Sequence, residues 1–98
     1  MYRISVHPQA LEETENAIEW YQRRSEIASD NFKSAIKKAF EDISKSPFIY
    51  TVTYLDIHVY HLKKFPYSIF YLVENQSIIV LAIFHNSRNP NEWKKRLK

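Results

Sequence analysis

Four histidines, His7, His58, His61 and His85, are the side chains of this 98-residue chain whose unperturbed charge changes near neutral pH. His85 has the most suggestive neighbour, because Arg88 follows it by three residues. A histidine that moves a proton beside an arginine that holds a phosphate suits cleavage of a phosphodiester by an RNA 2′-hydroxyl. Lys63-Lys64 places one ammonium on each face of the chain, so one of the two could hold phosphate in the same groove. The ordinary alternatives are a structural ring for His85 and a solvated surface for the lysine pair. His58-x-x-His61 resembles a metal pair, but residues three apart on a strand point to opposite faces, so no metal site is expected. The chain has no cysteine, hence no thiolate nucleophile, disulfide or Cys-based metal centre. It also has no glycine, which excludes phosphate loops and dinucleotide fingerprints.

A second set of residues suits binding rather than chemistry. Trp20-Tyr21, and Trp93 beside Lys94-Lys95-Arg96, combine aromatic anchors with charge, a composition favoured at protein interfaces. Tyr60, Tyr67 and Tyr71 could stack on bases, although tyrosines alternating along a strand more often serve core and rim. Net charge is +3, but residues 1–50 carry 7 Lys/Arg against 8 Asp/Glu, and residues 51–98 carry 7 against 3. A basic second half attracts nucleic acid or an acidic protein segment, and charge alone does not choose between them.

The elements that position these residues follow from spacing. Tyr2, Ile4 and Val6 alternate with polar residues, giving a strand over 2–7. Pro8 suits the first position of a helix, and Leu11, Thr14, Ile18 and Tyr21 recur at helical spacing, so helix one runs over 8–24 with Glu12, Glu13, Glu15 and Glu19 outward. After a polar break at 25–30, Phe32, Ala35, Ile36, Ala39, Phe40 and Ile43 form the buried face of helix two, which stops near Ser46 ahead of Pro47. Residues 48–56 read as an extended connection holding a short strand at most. Strands follow at 57–63, 67–73 and 78–84, with Asn75 in the last turn where glycine would be usual. The 78–84 strand is apolar on both faces, so helices should cover one side and something else the other, a partner being one candidate. A short helix or ordered tail containing Glu92, Trp93 and Arg96 ends the chain. The result is one α+β domain over 1–98, β-α-α-β-β-β, with a helical hairpin packed on a curved, mostly antiparallel sheet. No signal peptide or membrane-length apolar run is present, and a cytoplasmic protein is expected.

In order and spacing, Ala10, Ala17, Trp20-Tyr21, Phe32, Ile43 and Pro47, followed by Phe65-Pro66-Tyr67, Ile69, Tyr71, His85, Arg88, Pro90, Trp93 and Arg96, resemble the RelE/ParE family of bacterial toxins, nearer its ParE branch. The resemblance implies the same β-α-α-β-β-β fold and a toxin of a type II toxin-antitoxin, or plasmid-stabilisation, module. Such a toxin is neutralised by a cognate antitoxin that wraps it. ParE-like members inhibit DNA gyrase by protein contacts, without a cofactor; RelE-like members cut mRNA on the ribosome. The catalytic arginine of RelE-like nucleases follows the tyrosine that opens the third strand, and Ser68 stands there in this chain, which favours the ParE-like reading. On that reading Trp20, Tyr21, Tyr67, Tyr71, Trp93 and Arg96 contact antitoxin or target. On the nuclease reading His85, Arg88, Lys63 and Lys64 are catalytic. A third possibility is a member that has lost toxicity and keeps only antitoxin binding.

Overall fold

The structure is a computed structural model that describes residues 2–97, the side chain of Pro90 excepted. Strand β1 (Arg3–Val6) leads through His7, whose Nδ1 accepts the Gln9 N–H at 3.1 Å, into α1 (Pro8–Gln22). Helix α2 (Glu26–Lys45) begins earlier than the polar composition of 25–30 suggests. Ser25 is extended and its Oγ accepts the Ala28 N–H at 3.2 Å, so it is the N-cap and the residues after it already form the first turn. The helix ends before Pro47, as expected.

Strands β2 (Val52–Tyr54), β3 (Ile57–His61), β4 (Tyr67–Glu74) and β5 (Ser77–His85) follow, and a 3₁₀ segment (Pro90–Arg96) closes the chain. The sheet order is β1-β5-β4-β3-β2, with β1 parallel to β5 and every other pair antiparallel. The order read from periodicity is thus observed, and the short strand allowed for in 48–56 becomes the edge strand β2. Phe32, Ile36, Ala39 and Ile43 of α2 pack with Tyr60, Ile69, Tyr71, Ile78 and Val80 on one sheet face. The Tyr60 hydroxyl donates to Asp42 Oδ2 at 2.8 Å, and Lys38 Nζ reaches the other oxygen at 2.8 Å, tying α2 to β3. Lys38 first, then Tyr60, hold the Asp42 carboxyl below its ordinary value.

A bulge sets the direction of the chemistry-bearing residues. Opposite β4, the partner of Phe70 is Ala82 but that of Tyr71 is Val80, so Leu81 is one residue too many for simple alternation. The side-chain phase therefore shifts by one. Ile78 and Val80 face the helices before the bulge and Ile83 after it, while Leu81, Ala82 and Phe84 join the second face.

That second face is not left for a partner, as the apolar 78–84 run had suggested. The chain's own tail covers it: Trp93 is 1% exposed, stacks on Phe70 at 5.3 Å, and packs with Ile57, Val59, Leu81 and Phe84. A 3₁₀ segment has no apolar period to read, which hides this role in the sequence.

Among the described residues two have positive φ, Leu55 at 52° and Asn75 at 56°. Asn75 fills the turn position expected of it, but a leucine there carries a steric cost of roughly 1–2 kcal/mol. Leu55 is also 70% exposed and buries little in return. Leu55→Asn should therefore raise stability by about 0.5–1 kcal/mol. The measurement is the urea midpoint at unchanged denaturant slope.

Candidate functional site

The most heavily bonded side chain in the second-half machinery belongs to helix α1. Glu13 Oε1 accepts the Ile83 N–H at 3.2 Å and Arg96 Nη1 at 3.1 Å, while its Oε2 accepts Arg88 Nη1 at 3.0 Å and Arg96 Nη2 at 2.7 Å. Arg96 Nη1 also donates to the Leu81 carbonyl at 2.8 Å, at the bulge. One carboxylate thus clasps helix, central strand and tail. Arg88 is engaged twice over, since its Nε and Nη2 meet Glu92 Oε1 at 2.8 and 2.7 Å, and its guanidinium lies 4.0 Å from the Phe84 ring. The sequence places the glutamate run of α1 on an outer face. Yet Glu13 lies three residues after Ala10 and four before Ala17, both buried, and this spacing is the signal that marks it as inward.

His85 stands at the end of β5, exposed, beside this clasp. Its Nδ1 accepts the Ser87 backbone N–H at 3.1 Å and lies 2.8 Å from Ser87 Oγ, so the neutral ring carries its proton on Nε2. In that tautomer the Nδ1 lone pair is occupied and Nε2 is a hydrogen-bond donor, so the neutral ring has no free lone pair with which to abstract a proton. The ring meets Tyr67 edge-on at 5.2 Å. Two neighbouring cavities of about 280 and 300 Å³ share His85, Tyr67 and Trp20 in their walls. Trp20 is 48% exposed, and Arg24 covers one face of its ring at 3.6 Å. Tyr21 is half-buried against Phe32 and Phe65, at 5.0 and 5.3 Å, and holds Trp20 edge-on at 5.0 Å.

On the opposite face, His61 and Ser68 form a pair that spacing alone did not single out. Ser68 Oγ donates to Asn86 Oδ1 at 2.6 Å, so His61 Nδ1, also 2.6 Å away, donates to Ser68. The serine proton is directed to an amide, not to the imidazole, and this is not the arrangement of an activated nucleophile. These three residues, with Arg88 and His85, line a cavity of about 210 Å³.

The four residues named for catalysis do not converge. Lys63 and Lys64 lie in the bend after β3 and line a different cavity, with Asn31, Lys38 and Asp42. His58 is buried, stacked on Tyr71 at 5.2 Å, and His61 is exposed, as expected for opposite faces. Among the described residues no group of three or more His, Cys, Asp or Glu is placed to hold a metal ion. Of the expected contact residues, Tyr71 is fully buried with its hydroxyl on the Pro47 carbonyl at 2.6 Å, and Trp93 is buried between the tail and the sheet. The Arg96 side chain is 7% exposed. These three hold the fold from within, and only Trp20, Tyr21 and Tyr67 of the set reach the surface.

The profile of the ParE toxin of type II toxin-antitoxin systems, parDE, matches residues 4–90. The chain belongs to the ParE toxin family. The fold agrees: a solved structure described as the chromosomal ParDE TA system from P. aeruginosa superposes with a TM-score of 0.64 at 14% identity, covering 87% of this chain and 96% of that one. No curated protein matches the chain.

In this ParE-family member the residues that carry the family pattern are mostly interior. Ala10, Ala17, Phe32, Ile43, Ile69, Tyr71 and Trp93 are buried, and Arg96 is spent on Glu13. The pattern is therefore chiefly a signature of the fold, and its exposed part is Trp20, Pro66, His85 and Arg88, with Tyr67 half-buried among them. Pro90 belongs to the same pattern, but its side chain lies outside the described residues. No helix is long and apolar enough to cross a membrane among those residues.

Proposed function

We propose that this ParE-family chain is a cytoplasmic toxin that inhibits DNA gyrase by protein contact, and that a cognate antitoxin neutralises it. The observation that carries this reading is the engagement of Arg88 and Arg96 by Glu13, which leaves His85 without a free cation beside it to hold a phosphate. Phosphodiester cleavage draws on such cations for the charge that develops in its transition state. Ser68 and the donor tautomer of His85 argue the same way. The exposed Trp20 with its Arg24 cover, next to Tyr67, has the composition of a binding hot spot.

Purified chain added to gyrase in a DNA supercoiling assay should inhibit it. Trp20→Ala should weaken inhibition by roughly 30-fold, the worth of a hot-spot side chain of about 2 kcal/mol. Transcript ends mapped within minutes of induction should be intact during growth arrest. New ends inside codons, lost in His85→Ala, would establish the ribosome-dependent nuclease instead. Absence of growth arrest would leave a member that only binds antitoxin.

A further inference from the structure

At the edge of the sheet farthest from β1, the run Ile49-Tyr50-Thr51-Val52-Thr53-Tyr54-Leu55 reads nearly the same in both directions about Val52. It is also uncharged, for no Asp, Glu, Lys, Arg or His occurs from Ser46 to Leu55. Five of the eight large apolar side chains exposed among the described residues belong to this stretch, Phe48, Ile49, Val52, Tyr54 and Leu55. The exposed apolar surface is thus gathered in one place. Leu55 adds a second sign, since its left-handed backbone, φ 52°, holds the side chain 70% exposed, where its own chain gives it little cover.

The ladder of β2 is open on its outer side. Val59 N–H donates to the Thr51 carbonyl at 2.8 Å, so Thr51 turns its backbone toward β3, and Val52, opposite His58, turns its own N–H and carbonyl away from the sheet. The register shifts between Val52 and Tyr54, which leaves Val52 at the centre of a short free edge. Edges are ordinarily guarded by lysine, other charges or proline within the strand, and Thr51 to Leu55 has none of these.

We infer that β2 is the contact between two copies of this chain, pairing antiparallel with β2 of the second copy about a two-fold axis at Val52 and joining two five-stranded sheets into one. In that arrangement the two Val52 residues exchange their outward N–H and carbonyl groups. Thr51 of each copy stands opposite Thr53 of the other, and Ile49 of each is brought toward Leu55 of the other. The near-symmetry of the run is what makes it self-complementary. Charge then sets the direction, because Lys45 brackets the run at one end and Asp56 at the other, so antiparallel copies bring unlike ends together and parallel copies like ones. An acidic protein segment or a nucleic acid finds no cation in the run to hold it, and the Lys94 ammonium nearby already lies 4.0 Å from the Tyr54 ring. The run shares no lining residue with the cavities around His85, so the contact does not depend on what those cavities bind.

Sedimentation equilibrium of the purified chain up to about 1 mM should show a monomer–dimer equilibrium, and amide exchange at Val52 should slow as concentration rises. Val52→Lys sets two ammonium groups face to face at the axis and should raise the dissociation constant at least about 30-fold. Leu55→Asn, which should stabilise the single chain, should raise it about 10-fold. Both side chains are exposed, and an unchanged circular dichroism spectrum checks that each variant is folded. Because the chain has no cysteine, Val52→Cys gives an unambiguous cross-link. Facing residues of a hydrogen-bonded antiparallel pair have Cα atoms about 5.5 Å apart, within disulfide range, so mild oxidation should yield a covalent dimer far faster than for Ile27→Cys, an exposed position on α2. A chain that stays monomeric throughout would overturn the inference, as would a dimer that Val52→Lys leaves intact, cross-linking no faster than in Ile27→Cys, or assembly into open fibres. So would protection of the Val52 amide that appears only when antitoxin or duplex DNA is added.

Discussion

Replacing Glu13 by alanine is expected to destabilise the protein by about 3–5 kcal/mol, the range for removing one partner of a buried ion pair. The loss is large because four donors converge on this carboxylate, and the Arg96 side chain, 7% exposed, would keep its charge with only the Leu81 carbonyl to meet it. A domain of this size has a total stability of roughly 5–15 kcal/mol, so about a fifth or more disappears with one side chain. Urea unfolding of Glu13→Ala, Arg96→Met and the double variant makes the cycle. The double variant should be markedly more stable than the sum of the single losses, since it leaves no orphaned charge. Strict additivity would mean that the clasp is not a unit.

Trp93→Ala should cost a similar amount, about 3–5 kcal/mol, through a different cause. No hydrogen bond is at stake, because the Trp93 indole nitrogen has no partner. What disappears is the body that fills the space over Phe70, Phe84, Ile57 and Val59. The variant should bind an apolar dye such as ANS under native conditions, which wild type should not, and Trp93→Phe should recover most of the stability. If dye binding is unchanged in the alanine variant, the tail is not the cover of that face.

The helices, the central strands and the positive-φ turn at Asn75 were legible because each follows from a local rule: a 3.6 period, alternation, or a residue that tolerates left-handed backbone. What escaped the sequence depends on distant pairs. Glu13 looks like Glu12 and Glu15 until Arg88 and Arg96 arrive from the far end of the chain. Trp93 beside three cations reads as a surface anchor, and only the sheet's bare second face makes burial the better place for it. The bulge at Leu81 leaves no mark in an apolar run, although it decides that Ile83 faces the helices and Phe84 the tail. For the site, Trp20, Tyr67 and His85 each stand out in the sequence in separate roles, and their convergence is a product of the fold.

The parallel pairing of β1 with β5 carries a consequence for the birth of the molecule. Residues 3–6 find their ladder partners at 77–80, so the first strand to be translated is among the last to be placed. At ~5–20 residues per second the wait is roughly 4–15 s. Glu13 waits longer still, for arginines at 88 and 96. A nascent chain therefore has neither its finished sheet nor its latched tail until residues 77–96 have been translated, and its mature surface, cavities included, forms only after that point.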